Sequence, residues 1–239
     1  MSSEFDNKVA VVTGAAGNLG RAVARAFAER GARVALLDLS EPVIQAVIDE
    51  QLPAGAETQA FAVDLLKPES VSATLQAVID RFGRIDILAN IAGGFTMGPL
   101  IQDTEDRDWD FMMNLNARSV FYTCRAALPS MLENGWGRII NVSARAALQA
   151  KGRMGPYCAS KAAVKTLTKS IAAETKFDDI TVNCILPGTI DTPQNREAMP
   201  DADHSQWVPP EALADVVLFL ASDAARCVTG AAIPVYGKS

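Results

Sequence analysis

The sequence predicts an α/β fold built on one doubly wound parallel sheet of about seven strands. Three observations carry the prediction. Short apolar runs alternate with longer helical patterns along the whole chain. Runs such as Val9-Ala10-Val11-Val12 and Val34-Ala35-Leu36-Leu37 are apolar at every position, as in strands covered on both faces. A glycine-bearing turn, Thr13 to Gly20, joins the first such run to the first helical segment.

Each element follows in order. Lys8 to Thr13 reads as a strand, and Asn18 to Arg30 as a helix closed by Gly31. Arg33 to Asp38 is the second strand. Pro42 to Gln51 is helical, with Ser40 or Glu41 near its start. Glu57 to Val63 is the third strand, Pro68 to Phe82 a helix and Ile85 to Ala89 the fourth strand. A long helical stretch covers Thr104 to Glu133, before a fifth strand at Arg138 to Val142. Tyr157 lies early in a helix that reaches Phe177. Thr181 to Leu186 is the sixth strand, Pro210 to Ala221 a helix and Ala231 to Val235 the last strand. No linker or internal repeat divides the chain, so residues 1–239 are expected to form one domain. Thr192 to Pro209 is polar and irregular, and is expected to be a loop at the substrate site.

Composition narrows the function. The chain has 239 residues, 49% of them hydrophobic, enough for a substantial core. Net charge is −6 and no basic block occurs, which argues against a nucleic-acid partner. The apolar runs are too short to span a bilayer, and the start lacks the basic and apolar regions of a signal peptide. Cys124, Cys158, Cys184 and Cys227 are widely separated, with no C-x-x-C pair. They read as free thiols in a reducing cytoplasm, with no metal site. His204 is the only histidine and no G-x-S-x-G elbow occurs, which argues against a hydrolase triad.

The chemistry-bearing residues fall at two places. In Thr13-Gly14-Ala15-Ala16-Gly17-Asn18-Leu19-Gly20, Gly14 suits a tight turn and Gly20 a close approach of helix to sheet. The N–H groups and dipole of the helix start suit a pyrophosphate. Asp38 ends the second strand, where an acid accepts hydrogen bonds from adenine-ribose hydroxyls and repels a 2′-phosphate. With Gly17 and Leu39 nearby and no cation, NAD is expected ahead of NADP, which stays possible. Asp64 ends the third strand, either facing the adenine or serving a turn, with Leu65 beside it. Asn90-Ile91-Ala92-Gly93-Gly94 leaves room for a ribose against the backbone, or is a plain turn. In the second half, Tyr157 and Lys161 stand four residues apart, on one face of a helix. An ammonium beside the phenol would lower its pKa from about 10 and make it a proton donor or acceptor near neutrality.

Taken in order, these motifs resemble those of the short-chain dehydrogenases/reductases over nearly the whole chain. Thr13-Gly14 with Gly20 is similar to the T-G-x-x-x-G-x-G turn of that family. Asn90-Ile91-Ala92-Gly93 is similar to its N-N-A-G segment with one Asn replaced. Tyr157 and Lys161 match the Y-x-x-x-K pair, and Pro187-Gly188 with Thr192 the P-G turn and threonine that hold the nicotinamide carboxamide. The resemblance implies a single-domain Rossmann fold and a homodimer or homotetramer. It implies hydride transfer between nicotinamide and a small carbonyl or alcohol. Tyr157 is then the acid/base, Lys161 its activator and ribose ligand, and Asn116 the holder of a relay water. Leu19, Leu39, Leu65, Ala92 and Ile190 are expected along the cofactor.

Two positions depart from the family pattern. Asn18 stands where glycine is usual, and asparagine tolerates left-handed backbone. The family serine lies thirteen residues before the tyrosine, and position 144 is alanine. Ser143 is one place early, on the opposite face of a regular strand. The serine role is therefore vacant, or filled by Ser143 through a bulge. Dihydropteridine reductases are similar in working with the Tyr/Lys pair alone, which makes that activity one alternative. A dinucleotide-binding sensor or scaffold that has lost turnover is the other.

Overall fold

A computed structural model describes residues 4–238. Seven parallel strands form one sheet in the order β3-β2-β1-β4-β5-β6-β7. They are β1 (Val9–Thr13), β2 (Arg33–Asp38), β3 (Thr58–Ala62), β4 (Ile87–Asn90), β5 (Gly137–Val142), β6 (Ile180–Pro187) and β7 (Ala232–Val235). The connecting helices are α1 (Asn18–Glu29), α2 (Glu41–Gln51), α3 (Pro68–Phe82), α4 (Asp106–Met112), α5 (Ser119–Asn134), α6 (Gly155–Glu174), α7 (Pro193–Ala198) and α8 (Pro210–Ala221). The single parallel sheet with helices on both faces is the Rossmann architecture that the alternating pattern predicts.

Strand pleating sorts the apolar side chains into two cores. Ala10, Val12, Leu36 and Ile140 pack with Val23 and Phe27 of α1 and Val217 of α8. Val9, Val11, Leu37 and Ile139 pack on the other face with Leu75 of α3, Ala127 of α5 and Val164 of α6. Both sides of β1 are thus buried, which is why its sequence shows no polar alternation.

The strand order reverses at β1, which pairs with β2 on one side and β4 on the other. Chains leaving the ends of β1 and β4 diverge to opposite faces and leave a crevice between them. Thr13 closes the floor of that crevice. Its Oγ1 accepts hydrogen bonds from the N–H groups of Ile91 and Ala92, at 3.1 and 3.2 Å.

Two expected elements differ in detail. The long helix of Thr104 to Glu133 is not continuous: a π-helical turn, Met113–Arg118, separates α4 from α5. A π turn inserts one residue into the ladder, a change that a 3.6-residue hydrophobic pattern does not reveal. The irregular loop expected over Thr192 to Pro209 contains α7 and a 3-10 turn at His204–Gln206. The signal for α7 was present: Thr192 is its N-cap, with Oγ1 accepting from the Asn195 N–H at 3.2 Å, and Pro193 opens it.

Candidate active site

A cleft of about 870 Å³ runs along the carboxyl ends of the strands. One end is built from the β1–α1 turn. Gly14 has φ of +65°, and a side chain there would meet the Ala92 Cα at 2.8 Å. A side chain on Gly20 would meet the Gly14 carbonyl oxygen at 2.0 Å, so helix and turn touch backbone to backbone. Gly17 is the N-cap of α1 and offers no capping side chain, which leaves the first N–H groups of the helix for an anion. This cradle fits the pyrophosphate of a dinucleotide. Asn18 is the first residue of α1 and is not left-handed, contrary to expectation, so asparagine is under no backbone strain there. Its Nδ2 instead donates to Gln194 Oε1 of α7 at 2.8 Å, across the mouth of the cleft.

Asp38 lines the same end and also holds the turn. Its Oδ2 accepts from the Ala16 N–H at 3.0 Å and its Oδ1 from the Leu39 N–H at 2.8 Å. Leu39, Asp64 and Leu65 line the cleft beyond it, with Asp64 paired to Lys67 at 3.1 Å. Among the described residues, the acids on the cleft wall are Asp38 and Asp64. Asn18, Leu19, Ala92, Gly93, Pro187, Gly188, Ile190 and Thr192 line the cleft as well. Asn90, expected at the cofactor, does not. It is buried behind the wall, where its carboxamide bonds Thr123 at 2.7 Å and Asn141 at 2.8 Å.

The other end is built from β5 and α6. Tyr157 lies in the first turn of α6, with its ring edge-on to Phe95 at 5.0 Å. Lys161 is one turn on and buried. Its Nζ donates to the Val142 carbonyl at 2.9 Å. Asn116 sits in the π turn, fully buried, and its carboxamide is taken up by neighbours. Oδ1 accepts from the Gly94 N–H at 3.0 Å, and Nδ2 donates to the Gly94 carbonyl and Ser160 Oγ, each at 3.1 Å. A side chain on Gly93 would lie 2.8 Å from Asn116 Oδ1 and 3.0 Å from Lys161 Nζ, so glycine there lets all three groups converge.

The electrostatics reverse one expectation. The Tyr157 phenol is not acidified in the protein alone. Burial pushes its pKa up to about 12, and the neighbouring Cys158 adds a smaller increase. Burial likewise lowers Lys161 to about 8. Both shifts favour the uncharged forms, and the lysine spends a hydrogen bond on β5. Spacing along a helix shows that two side chains share a face, not where the longer one points.

Ser143 is also placed clearly. It is buried, and its hydroxyl donates to the Lys161 carbonyl at 2.7 Å. A hydroxyl has one proton to give, so donation to a substrate oxygen would cost this bond. Ala144, extended at φ −162° and ψ 160°, turns the next side chain to the other face.

Several wall residues carried no sequence signal. Phe95, Met97, Leu115, Met154 and Met199 line the cleft, as do Arg145 and Lys151, and Phe95 touches the Tyr157 ring. All but Leu115 lie in loops or at helix ends, where neither helix nor strand periodicity applies.

The short chain dehydrogenase family model matches residues 8–203. The chain belongs to the short-chain dehydrogenases/reductases. The (2S)-[(R)-hydroxy(phenyl)methyl]succinyl-CoA dehydrogenase subunit BbsD of Thauera aromatica is 36% identical, over 98% of this chain and 96% of its own length. The 3-oxoacyl-[acyl-carrier-protein] reductase FabG of Thermotoga maritima is 31% identical over 98% of each. The crystal structure of gox2181 superposes with a TM-score of 0.93, at 32% identity, over 98% of this chain and 96% of that one. As a short-chain dehydrogenase/reductase, the protein is an oxidoreductase that uses a nicotinamide dinucleotide, NAD or NADP, on alcohol or carbonyl substrates. These relatives favour neither a dihydropteridine reductase nor a dinucleotide sensor that has lost turnover. No helix among the described residues is long and apolar enough to cross a membrane, and no three or more His, Cys, Asp or Glu side chains there cluster as a metal site would need.

Proposed function

We propose that the protein is an NAD-preferring oxidoreductase in which Tyr157 is the acid/base, Lys161 its partner and Asn116 the relay, with no serine hydroxyl at the reacting carbonyl. The observation that carries this reading is the convergence of Tyr157, Lys161 and Gly93 on one cleft whose far end is bounded by Asp38.

The glycine cradle and Asp38 hold the dinucleotide, with Asn18, Leu19, Leu65, Ala92, Pro187, Gly188, Ile190 and Thr192 along its length. A bound nicotinamide supplies or accepts the hydride. Tyr157, held neutral by burial, donates its proton to the carbonyl oxygen in reduction and takes it back in oxidation. Lys161, with a pKa near 8, replenishes that proton at neutral pH. The Asn116 carboxamide is committed to Gly94 and Ser160, so relay falls to its main chain, where a π turn displaces the carbonyl ladder.

Asp38 supports NAD because, among the described residues, none lining that end brings a cation to meet a 2′-phosphate. The expected domain of residues 1–239, of which 1–3 and 239 lie outside the described residues, acts as one unit, and the 192–209 segment serves the substrate site, a reading supported by Thr192, Asn195 and Met199 on the cleft wall. Phe121 of α5 and Phe219 of α8 are about half exposed, although Val120 and Cys124 are buried within the chain. These exposed faces support a homodimer or homotetramer. Three buried free thiols and one exposed one accord with a reducing cytoplasm.

The test is a titration of NADH and NADPH by tryptophan fluorescence. NADH is expected to bind tighter. Asp38→Asn keeps an oxygen for the Ala16 N–H and should narrow the gap about tenfold by removing one charge. Equal or tighter NADPH binding by the unaltered protein would overturn the NAD assignment.

A further inference from the structure

A second cavity adjoins the cleft. It is a groove of about 350 Å³, and Met97 and Phe111 line both spaces, so the two cavities meet at these side chains. The groove also starts beside the reacting end. Pro156, on its wall, directly precedes Tyr157. Thr96, also on its wall, directly follows Phe95, whose ring meets that of Tyr157 edge-on at 5.0 Å. Neither the proton chemistry nor the dinucleotide site uses this space.

The loops around the groove hold its shape. The Gly98 N–H donates to the Arg153 carbonyl at 2.9 Å, and Arg153 Nε donates to the Gly98 carbonyl at 3.3 Å. These bonds tie the connection between β4 and α4 to the connection between β5 and α6. Arg153 is left-handed, with φ of +64°, a conformation that costs a non-glycine residue free energy and persists where the surroundings hold it. Most of the lining is uncharged. Among the described residues, its charged members are Asp108 and Arg153, both exposed, and Asp108 lies 3.9 Å from Arg107 Nε. Met97 and Phe111 are 63% and 47% exposed, so the junction of the two cavities offers apolar surface that the protein leaves uncovered.

We infer that the substrate is an elongated carbonyl or alcohol compound with an uncharged, mainly apolar tail, which runs past Met97 and Phe111 into the groove while the reacting carbon lies at Tyr157. This rests on the placing of the reaction at Tyr157 and assigns the remainder of the substrate a site of its own. Seating the tail removes apolar area from water on both partners, the chain itself and the exposed Met97 and Phe111. The unbranched Met97 side chain adapts to a flexible chain. A charged tail end would find no buried counter-ion here, since Asp108 and Arg153 are both exposed. Thr96 and Asp108 line the groove and not the cleft, so their role is in specificity rather than catalysis.

A chain-length series tests this. Kinetics with NADH are measured for butanal, hexanal, octanal and decanal, on the unaltered protein, Thr96→Trp and Asp108→Trp. The variants bring an indole to the groove from the β4–α4 connection and from α4. In the unaltered protein kcat/KM should rise about threefold per added methylene until the groove is full, through KM rather than kcat. The decanal-to-butanal ratio should fall about tenfold or more in at least one variant, with NADH affinity showing that the fold is intact. If no aldehyde turns over, calorimetric binding of the matching carboxamides, unreactive carbonyl analogues, to the NADH-bound protein makes the same comparison. Rates or affinities independent of chain length, a length dependence that survives in both variants, or no binding of any member overturns the inference. Retention of full rate by Tyr157→Phe would instead overturn the placing of the reaction, a result independent of the groove.

Discussion

The two ends of the cleft solve different problems by different means. The β1–α1 end is made of main chain. Its features are a left-handed Gly14, a Gly20 that admits no Cβ, uncapped helix N–H groups and one carboxylate, Asp38, which braces the turn while facing the cleft. The β5–α6 end is made of side chains held by main chain. Lys161 is tied to Val142, Ser143 to Lys161, and Asn116 to Gly94 and Ser160. A backbone cradle is indifferent to most side-chain changes but intolerant of a methyl group at two positions. A side-chain site is the reverse: its volume tolerates change, and its function rests on single polar atoms.

The sharpest way to break this contrast is at Tyr157. Tyr157→Phe removes one oxygen and keeps the ring against Phe95. Turnover should fall by about 10²–10⁴, the usual worth of a positioned acid/base, with NADH affinity within about twofold. Steady-state rates and a fluorescence titration check both halves. A loss of NADH binding comparable to the loss of rate would mean that the two ends are not separable.

Next in size is the opposite experiment. Gly20→Ala adds a methyl group 2.0 Å from the Gly14 carbonyl oxygen, so α1 must shift from the turn. Overpacking of this kind costs about 1–3 kcal/mol, and NADH binding should weaken by about 10- to 100-fold. An affinity unchanged within twofold would show that the pyrophosphate does not sit on this turn.

Proton bookkeeping gives a third separation. Tyr157, with its pKa raised to about 12, stays a phenol throughout the neutral range, so carbonyl reduction should not fall between about pH 6 and 7.5. Alcohol oxidation needs the phenolate. It should rise with pH, by up to about tenfold per unit while that form is scarce, because deprotonation of a group with a raised pKa is completed only at high pH. Above about pH 8, Lys161 loses its proton and reduction should decline. Rate profiles in both directions, measured at saturating dinucleotide, check the signs.

Legibility in the sequence followed the same division. The apolar runs of β1 and β2, the Gly14–Gly20 turn and Asp38 could be read because main-chain demands restrict residue type strongly. Tyr157 and Lys161 could be read as a pair. The direction of the lysine could not, because it depends on the Val142 carbonyl of β5, nineteen residues away in sequence. The π turn at Met113–Arg118 was hidden by an unbroken helical pattern. The direction of the Asn90 side chain could not be read either, because a residue at a strand end can face the cleft or the strand beside it. Here it faces Thr123 and Asn141. Phe95, Met97 and Arg145 lie outside periodic elements, and only the fold brings them to the cleft that Tyr157 also lines.

In the proposed mechanism the reacting end works through Tyr157 and Lys161 without a hydroxyl donor, since the Ser143 proton is spent on the Lys161 carbonyl and position 144 is alanine. The most direct test is the single-turnover rate of hydride transfer in Ser143→Ala, with folding and NADH affinity shown to be intact. The rate should stay within about threefold of the unaltered protein, the residual effect being the loss of one internal hydrogen bond. A fall of about 100-fold or more, the usual worth of an oxyanion donor, would contradict it and place Ser143 at the substrate oxygen.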